Sequence, residues 1–538
     1  MRRAAIVSGV SPSTMDMLYR SSLYALTLRG RRPERIACTL QPSWPDDREL
    51  ALAVMDGAFL FAGRRYPLGQ APWAALLQSD AMAAALHEFG WLADLRALGS
   101  KAAQQRAKAL VGGWIDSNRR WSTPAWRADV LGRRLTMWIA AADFLLADGD
   151  DGFRDRFLDC LGLQARHLAR VGGRRRGDAG AIAAAKGRLA CALCIDVGHY
   201  QAAMDHLCRE IRAQVLPDGG HVQRNPSLVL QVLRDLIDIR AALQSARQEI
   251  PDDIVGAVER MVPMLRGLRL GDGALALFNG GKEENPCLID AVLARTAIRG
   301  KAISDAPQAG VQRIATGRTT LVMDAGPAPV HGNRAHAGAL SFEISIGADR
   351  LVVNCGAHWG DDLKWRRAMA GTNAHSTLAV DDSDSADIAA DGRCRTPARV
   401  EAARREEEGQ VWLDVSHDGY RRKYKLIHRR RLYVNESGDD IRGEDTLEGP
   451  IAVPFKVRFH LHPEVRASMI QDGSAVLLRT AGGGGWRFIG AGGTLALEDS
   501  VYLGASDMPR RTLQIVVAGS PHEAGGQVKW AFRREDDA

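Results

Sequence analysis

"HGNRAHAGALSFEISIGADRLVVNCG", His331 to Gly356, decides how the second half of this chain is read. Leu340, Phe342, Ile344 and Ile346 alternate with Ser341, Glu343 and Ser345, the period of a half-buried strand. "GADR", Gly347 to Arg350, turns the chain back, so that "RLVVNCG" returns as the antiparallel partner. Such a hairpin carries His336, ahead of its first strand, to the same end of the sheet as Asn354 and Cys355, where its second strand stops. His375, in "GTNAHSTL", closes the group from a neighbouring strand. Two imidazoles with an amide oxygen or a thiolate make a zinc donor set, and they equally make a hydrogen-bonded network at a strand end. The residues leave both readings open.

Working outward, "VQRIATGRTTLVMDAG", "VWLDVSHDGY", "KLIHRRRLYV" and "FKVRFHLHP" repeat the pattern of short strands between turns, which indicates an antiparallel β-sandwich. Before residue 300 the period is helical. In "TPAWRADVLGRRLTMWIAAADFLL", Trp126, Val130, Leu135, Trp138 and Ile139 recur at three-to-four spacing behind the start signal Ser122-Thr123-Pro124. Met204, Leu207, Ile211 and Val215 repeat it, as do Leu228, Val232, Leu233 and Leu236. The expected fold is therefore α+β and multidomain: a helical domain over residues 1–305 and an antiparallel β-sandwich over 306–538.

Length supports this division, because 538 residues exceed what one core usually serves. The 71 basic and 64 acidic side chains are interspersed and leave a net charge of +7, which argues against a nucleic-acid arm. A cluster such as Arg174 to Arg176 reads as solvated surface. The opening "MRRAAIVSGVSPSTMDMLYR" lacks the apolar core of an export signal, and no run is long enough to span a bilayer, so a soluble, cytoplasmic protein is expected. Eight cysteines without paired spacing fit a reducing compartment. Cys191 and Cys194, on an apolar helix, read as two buried thiols.

Three further stretches carry candidate chemistry. In "LPDGGHVQRNPSLVLQVLRDL" the helix-breaking Pro217 to Gly220 put His221, Arg224 and Asn225 on one loop. There Arg can clamp a carboxylate, Asn can donate and His can exchange a proton, although Asn225 also suits a helix cap. "GDGALALFNGG", with Asp272 and Asn279, is not spaced as a phosphate cradle, so no nucleotide or organic cofactor is expected. Trp121, Trp126 and Trp365 are candidate sugar platforms, with Asp272 a candidate substrate contact. Arg366 and Arg367 beside Trp365 suit a polyanion. "RRKYKLIHRRR", Arg421 to Arg431, alternates like a strand with a solvated face.

Taken in order behind a helical half, "DGGHVQRNP", "AHAGALSFEISIGADRLVVNCG", "WRRAMAGTNAHSTLAVDD" and "IRGEDTL" resemble the heparinase II/III-like polysaccharide lyases over roughly residues 150–538. The resemblance implies an incomplete (α/α) toroid joined to the sandwich, with a cleft for uronic-acid polysaccharides of the glycosaminoglycan kind. It also implies β-elimination, with a supporting metal at positions that match His336, Asn354 and His375. Asn354 stands where the family has Asp; Cys355 could substitute as a zinc ligand. "DAGAIAAAKGRLACALCID" lacks the family's Asn-His pair, Leu228 stands in place of its Tyr, and Arg334 in place of a catalytic His. The expected function is thus a divergent lyase acting on an anionic polysaccharide, with His221, Arg224, Asn225 and His336 as its catalytic group. The alternatives are a glycoside hydrolase using Asp218, Asp272 and Glu343, and a non-catalytic polysaccharide-binding or assembly protein.

Overall fold

The computed structural model describes residues 14–38, 40, 44–69, 73, 79–171, 179–450, 453–519 and 526–535. Arg174 to Arg176 and the first thirteen residues lie outside these.

Helices run from Thr14 to Thr296, and their inward stripes form two apolar clusters. Ser79 and Ser100 cap helices by accepting from Met82 N at 2.9 Å and Ala103 N at 3.1 Å. The helices Ala128–Ala140 and Ala179–Cys194 cross at Gly132 and Gly187; a Cβ on Gly187 would lie 2.5 Å from Gly132 Cα. Only glycine allows backbones to meet so closely. Three expectations for this half need correction. The helix predicted from Ser122-Thr123-Pro124 starts at Ala128, because Trp126 N donates to Ser122 O at 2.8 Å and closes a turn first. A hairpin, Ala58–Phe61 with Arg64–Pro67, interrupts the helices; its turn puts Ala62 and Gly63 at φ of 51° and 80°, as a tight two-residue connection requires. Finally, Cys194 is bonded to Cys38, leaving Cys191 as the buried thiol. Among the described residues no helix is long and apolar enough to cross a membrane.

From Asp305 onward the described chain builds a small two-stranded sheet, Asp387–Ile388 with Cys394–Thr396, and two large antiparallel ones. One has eight strands, ordered Val400–Glu407, Gln410–His417, Ile427–Val434, Asp440–Glu448, Gly526–Arg534, Gly485–Ala491, Ala475–Arg479 and Arg466–Ile470. The other has nine and centres on Phe455–Leu461, Asp349–Val353, Phe342–Ile346 and Thr319–Asp324. Their facing side chains, Phe342, Phe459, Phe488, Trp530 and Phe532 among them, form the sandwich core. In the run Arg421 to Arg431, Arg421–Tyr424 is a helical turn and the strand begins at Ile427; Arg429 and Arg431 face outward, while His428 and Arg430 are buried.

The hairpin of the opening stretch forms as expected, Phe342–Ile346 against Asp349–Val353, but its first strand is buried on both faces. The second face is covered by the loop that follows the helix Asp252–Gly267. Leu277 N donates to Glu343 Oε1 at 3.1 Å and Gly271 N to Ser345 Oγ at 2.8 Å. This loop and Arg224 stitch the halves together. Arg224, at a left-handed φ of 49°, pairs with Asp324 and also donates to Ala309 O at 2.7 Å and Gly310 O at 2.9 Å. With both partners buried, removing one strands the other's charge at a cost of about 3–5 kcal/mol.

Candidate functional site

A cavity of about 260 Å³ lies against the end of the hairpin sheet. Its walls come from the segment Asn333–His336, from the helix Leu363–Ala370 through Arg366 and Arg367, from His358, and from the turn region Asp384–Gly392. Gly280, at the tip of the loop from the helical half, completes it. Arg334, Arg366 and Arg367 thus converge on one hollow. Arg334 lies over the Trp359 ring at 4.3 Å, and burial beside Arg366 lowers its pKa to about 10. Trp359 is held in turn, its indole N–H donating to Gly280 O at 3.1 Å and its backbone N–H to Asp507. Asp507 also takes Lys282 Nζ at 2.9 Å. Trp359, Lys282 and Glu284 line a second hollow of about 420 Å³.

Two imidazoles, His336 and His358, line the cavity, and His336 is the one tied to the hairpin end. Its Nδ1 lies 3.1 Å from Nε2 of His375, whose own Nδ1 lies 2.8 Å from Gly371 O. Burial lowers both histidines, His375 to about 4 and His336 well below its ordinary value with help from His375 and Arg334, so both are neutral at pH 7.

The segment Thr372–Ser376 brings the expected metal set together in backbone but parts its side chains. Cys355 N donates to Ala374 O at 3.0 Å, and Ser376 N to Asn354 Oδ1 at 2.9 Å. Asn354 therefore spends its oxygen on backbone, and its amide donates to Leu277 O at 3.4 Å. The Cys355 thiol faces His460 Nδ1 at 3.4 Å, and burial raises its pKa to about 12. Only His336 and His375 converge. Among the described residues no group of three or more His, Cys, Asp or Glu is arranged around a common point for a metal. The donors present do not fit the zinc site that the resemblance implies.

The loop group comes out differently. His221 is fully buried, with Nε2 3.1 Å from Gln214 Oε1, and burial lowers its pKa to about 3. Asn225 caps the helix Pro226–Ser245, accepting from Ser227 N at 2.9 Å, and donates to Asn279 O at 2.9 Å. With Arg224 committed to the seam, none of the three lines the cavity. Asp272 pairs with Arg350 at 2.7 Å. Trp126 is core, its N–H donating to Asn118 O at 3.1 Å, so it offers no face to a sugar. Trp365 packs against Cys355, Met369 and Leu503 beside the cavity, whereas Arg366 lines it. Sequence reasoning missed His358, Trp359, Lys282 and Asp384; the one local signal for Trp359 was its place directly before the Gly360-Asp361-Asp362 turn.

Residues 298–531 match the family model described as heparinase II/III-like, C-terminal. The chain is 31% identical to FtsZ-localized protein C of Caulobacter vibrioides over 96% of its own length and 93% of that protein. Among solved structures it is similar to heparinase III, with a TM-score of 0.76, 13% identity, and coverage of 96% of this chain and 89% of that one. It is also similar to a mutant of the heparan sulfate lyase HepC of Pedobacter heparinus, with a TM-score of 0.64, 17% identity and coverage of 96% and 88%. The chondroitin AC lyase of Streptomyces coelicolor A3 gives a TM-score of 0.54 at 12% identity, covering 98% and 81%. These likenesses establish a helical toroid followed by a β-sandwich, and the chain belongs to the heparinase II/III-like family.

Proposed function

We propose that this protein recognises a uronate-bearing glycan in the cavity over His336 and cleaves it by β-elimination. The observation that carries the reading is the convergence of Arg334, Arg366 and Arg367 on a hollow that also contains a neutral imidazole. Guanidinium groups bind a carboxylate with paired, charge-assisted hydrogen bonds. They also stabilise the enolate that forms when the adjacent carbon loses its proton. His336 takes that proton, the carbon–oxygen bond to the leaving sugar breaks, a double bond forms in the uronate, and water protonates the departing oxygen.

Hydrolysis needs two carboxylates flanking the bond; Asp384 and Asp387 line the cavity, whereas the three carboxylates named above for hydrolysis are engaged elsewhere. Asp218 accepts from Gln308 N at 2.9 Å and Ala309 N at 2.8 Å; Asp272 is paired with Arg350; Glu343 is fully buried. None of the three lines the cavity. Incubation with a panel of uronate polysaccharides and oligosaccharides tests the reading through product mass and near-ultraviolet absorbance. Absorbing products without added water support it; products carrying water and no absorbance overturn it.

A second reading has its own support. The relative matched along nearly the whole chain is named for localisation by FtsZ, and Leu228 and Arg334 replace the Tyr and His of the lyase pattern. In this reading the protein is a glycan-binding partner of an FtsZ assembly without turnover. Co-sedimentation with FtsZ polymers, together with tight glycan binding and no product, would favour it.

A further inference from the structure

The fold family implies a metal between His336, an acidic residue and His375, yet Asn354 stands in the acidic place with its amide used on Ser376 N and Leu277 O. We propose that the two histidines act instead as a metal-free hydrogen-bonded pair, with His375 a positioning residue that keeps Nε2 of His336 unprotonated at the cavity. This deepens the lyase reading and rests on it for its use, though not for its test.

Proton placement follows from one carbonyl. Gly371 O can only accept, so His375 Nδ1 carries the hydrogen across their 2.8 Å contact. In a neutral ring that leaves His375 Nε2 as an acceptor, and His336 Nδ1 must donate to it across 3.1 Å. His336 Nε2 is then the bare nitrogen, on a residue that lines the cavity. Packing fixes the arrangement. Gly338 leaves room for the His375 ring, since a Cβ there would lie 2.6 Å from its Cδ2. Arg430 Nη1 donates to Ser376 O at 2.9 Å and to Leu340 O at 2.8 Å, clamping the segment that bears His375 to the sandwich core. Both rings are T-shaped to one another with centroids 5.2 Å apart.

The full chain, labelled with ¹⁵N histidine, tests this at neutral pH without any substrate. The variants are His375→Gln, which keeps an acceptor for His336 but is a poor zinc ligand, and His375→Ala, which keeps neither. His336 should show a protonated Nδ1 and a bare Nε2 in the wild type and in His375→Gln, and mixed tautomers in His375→Ala. Metal content after dialysis against zinc should stay far below one ion per chain in all three. One tightly held zinc per chain, lost in both variants, would overturn the proposal, as would an Nε2-protonated His336 in the wild type. If His375→Ala fails to fold, the wild type and His375→Gln still decide it. A glycan panel without product would sink the lyase reading and leave these spectra to judge the pair.

Discussion

Two clusters of this protein use the same side-chain types and do opposite things. His221, Arg224 and Asn225 sit on a loop between helices; Arg334, His336 and Arg366 sit around the end of a strand hairpin. In the first, bonding capacity is consumed internally: Arg224 serves Asp324 and three carbonyls, Asn225 caps a helix, and His221 meets Gln214. In the second, His336 spends one ring nitrogen on His375, and it and the arginines line a hollow. The contrast teaches that a polar cluster is a site when the fold leaves part of its bonding capacity unspent.

The sharpest way to break this comparison is to remove one arginine from each cluster. Arg224→Ala is expected to cost about 3–5 kcal/mol in denaturant unfolding, because it leaves Asp324 buried and unpaired. A near-neutral result would show that the seam tolerates its loss and would erase the distinction. Arg366→Ala should leave unfolding unchanged while weakening uronate-oligosaccharide binding by about 1.5–3 kcal/mol, roughly 10- to 150-fold by calorimetry.

The histidines sharpen it further through pH. His221 has a folded pKa of about 3 against an ordinary 6.5, so the unfolded chain binds the extra proton between those values. Its contribution is therefore intact above pH 6.5 and is lost as pH falls, at about 1.4 kcal/mol per pH unit. His221→Gln should flatten the acid limb of a stability–pH curve by that slope; an unchanged limb would place His221 in solvent. Smallest of all, Trp365→Ala should cost about 1 kcal/mol of stability and leave affinity unchanged, since its ring packs on Met369 and Leu503 beside the cavity. A large loss of binding would make it a sugar platform after all.

Much of the fold was legible because its signals are local. The alternation in "LSFEISIG", the "GADR" turn and the change of period near residue 300 each depend on neighbours within a few positions. The double burial of Phe342–Ile346 was hidden because Glu343 and Ser345 look solvent-facing until Leu277 N and Gly271 N arrive from the loop after the helix Asp252–Gly267. Arg224 was misread for the same reason: its partners lie 85 to 103 residues away. At the candidate site, the approach of His336 and His375 could be inferred from the hairpin. The divergence of Asn354 and Cys355 could not, because it is set by Ser376, Leu277 and His460.

The most direct measurement of the central claim is calorimetric titration of a uronate oligosaccharide into wild type, the Arg366→Ala/Arg367→Ala pair, and Asn225→Ala. Binding is expected in the wild type, with its loss in the arginine pair at an unchanged unfolding midpoint and retained affinity with reduced stability in Asn225→Ala. Full affinity in the arginine pair, or its loss in a folded Asn225→Ala, would contradict the account and move the site to the helical loop.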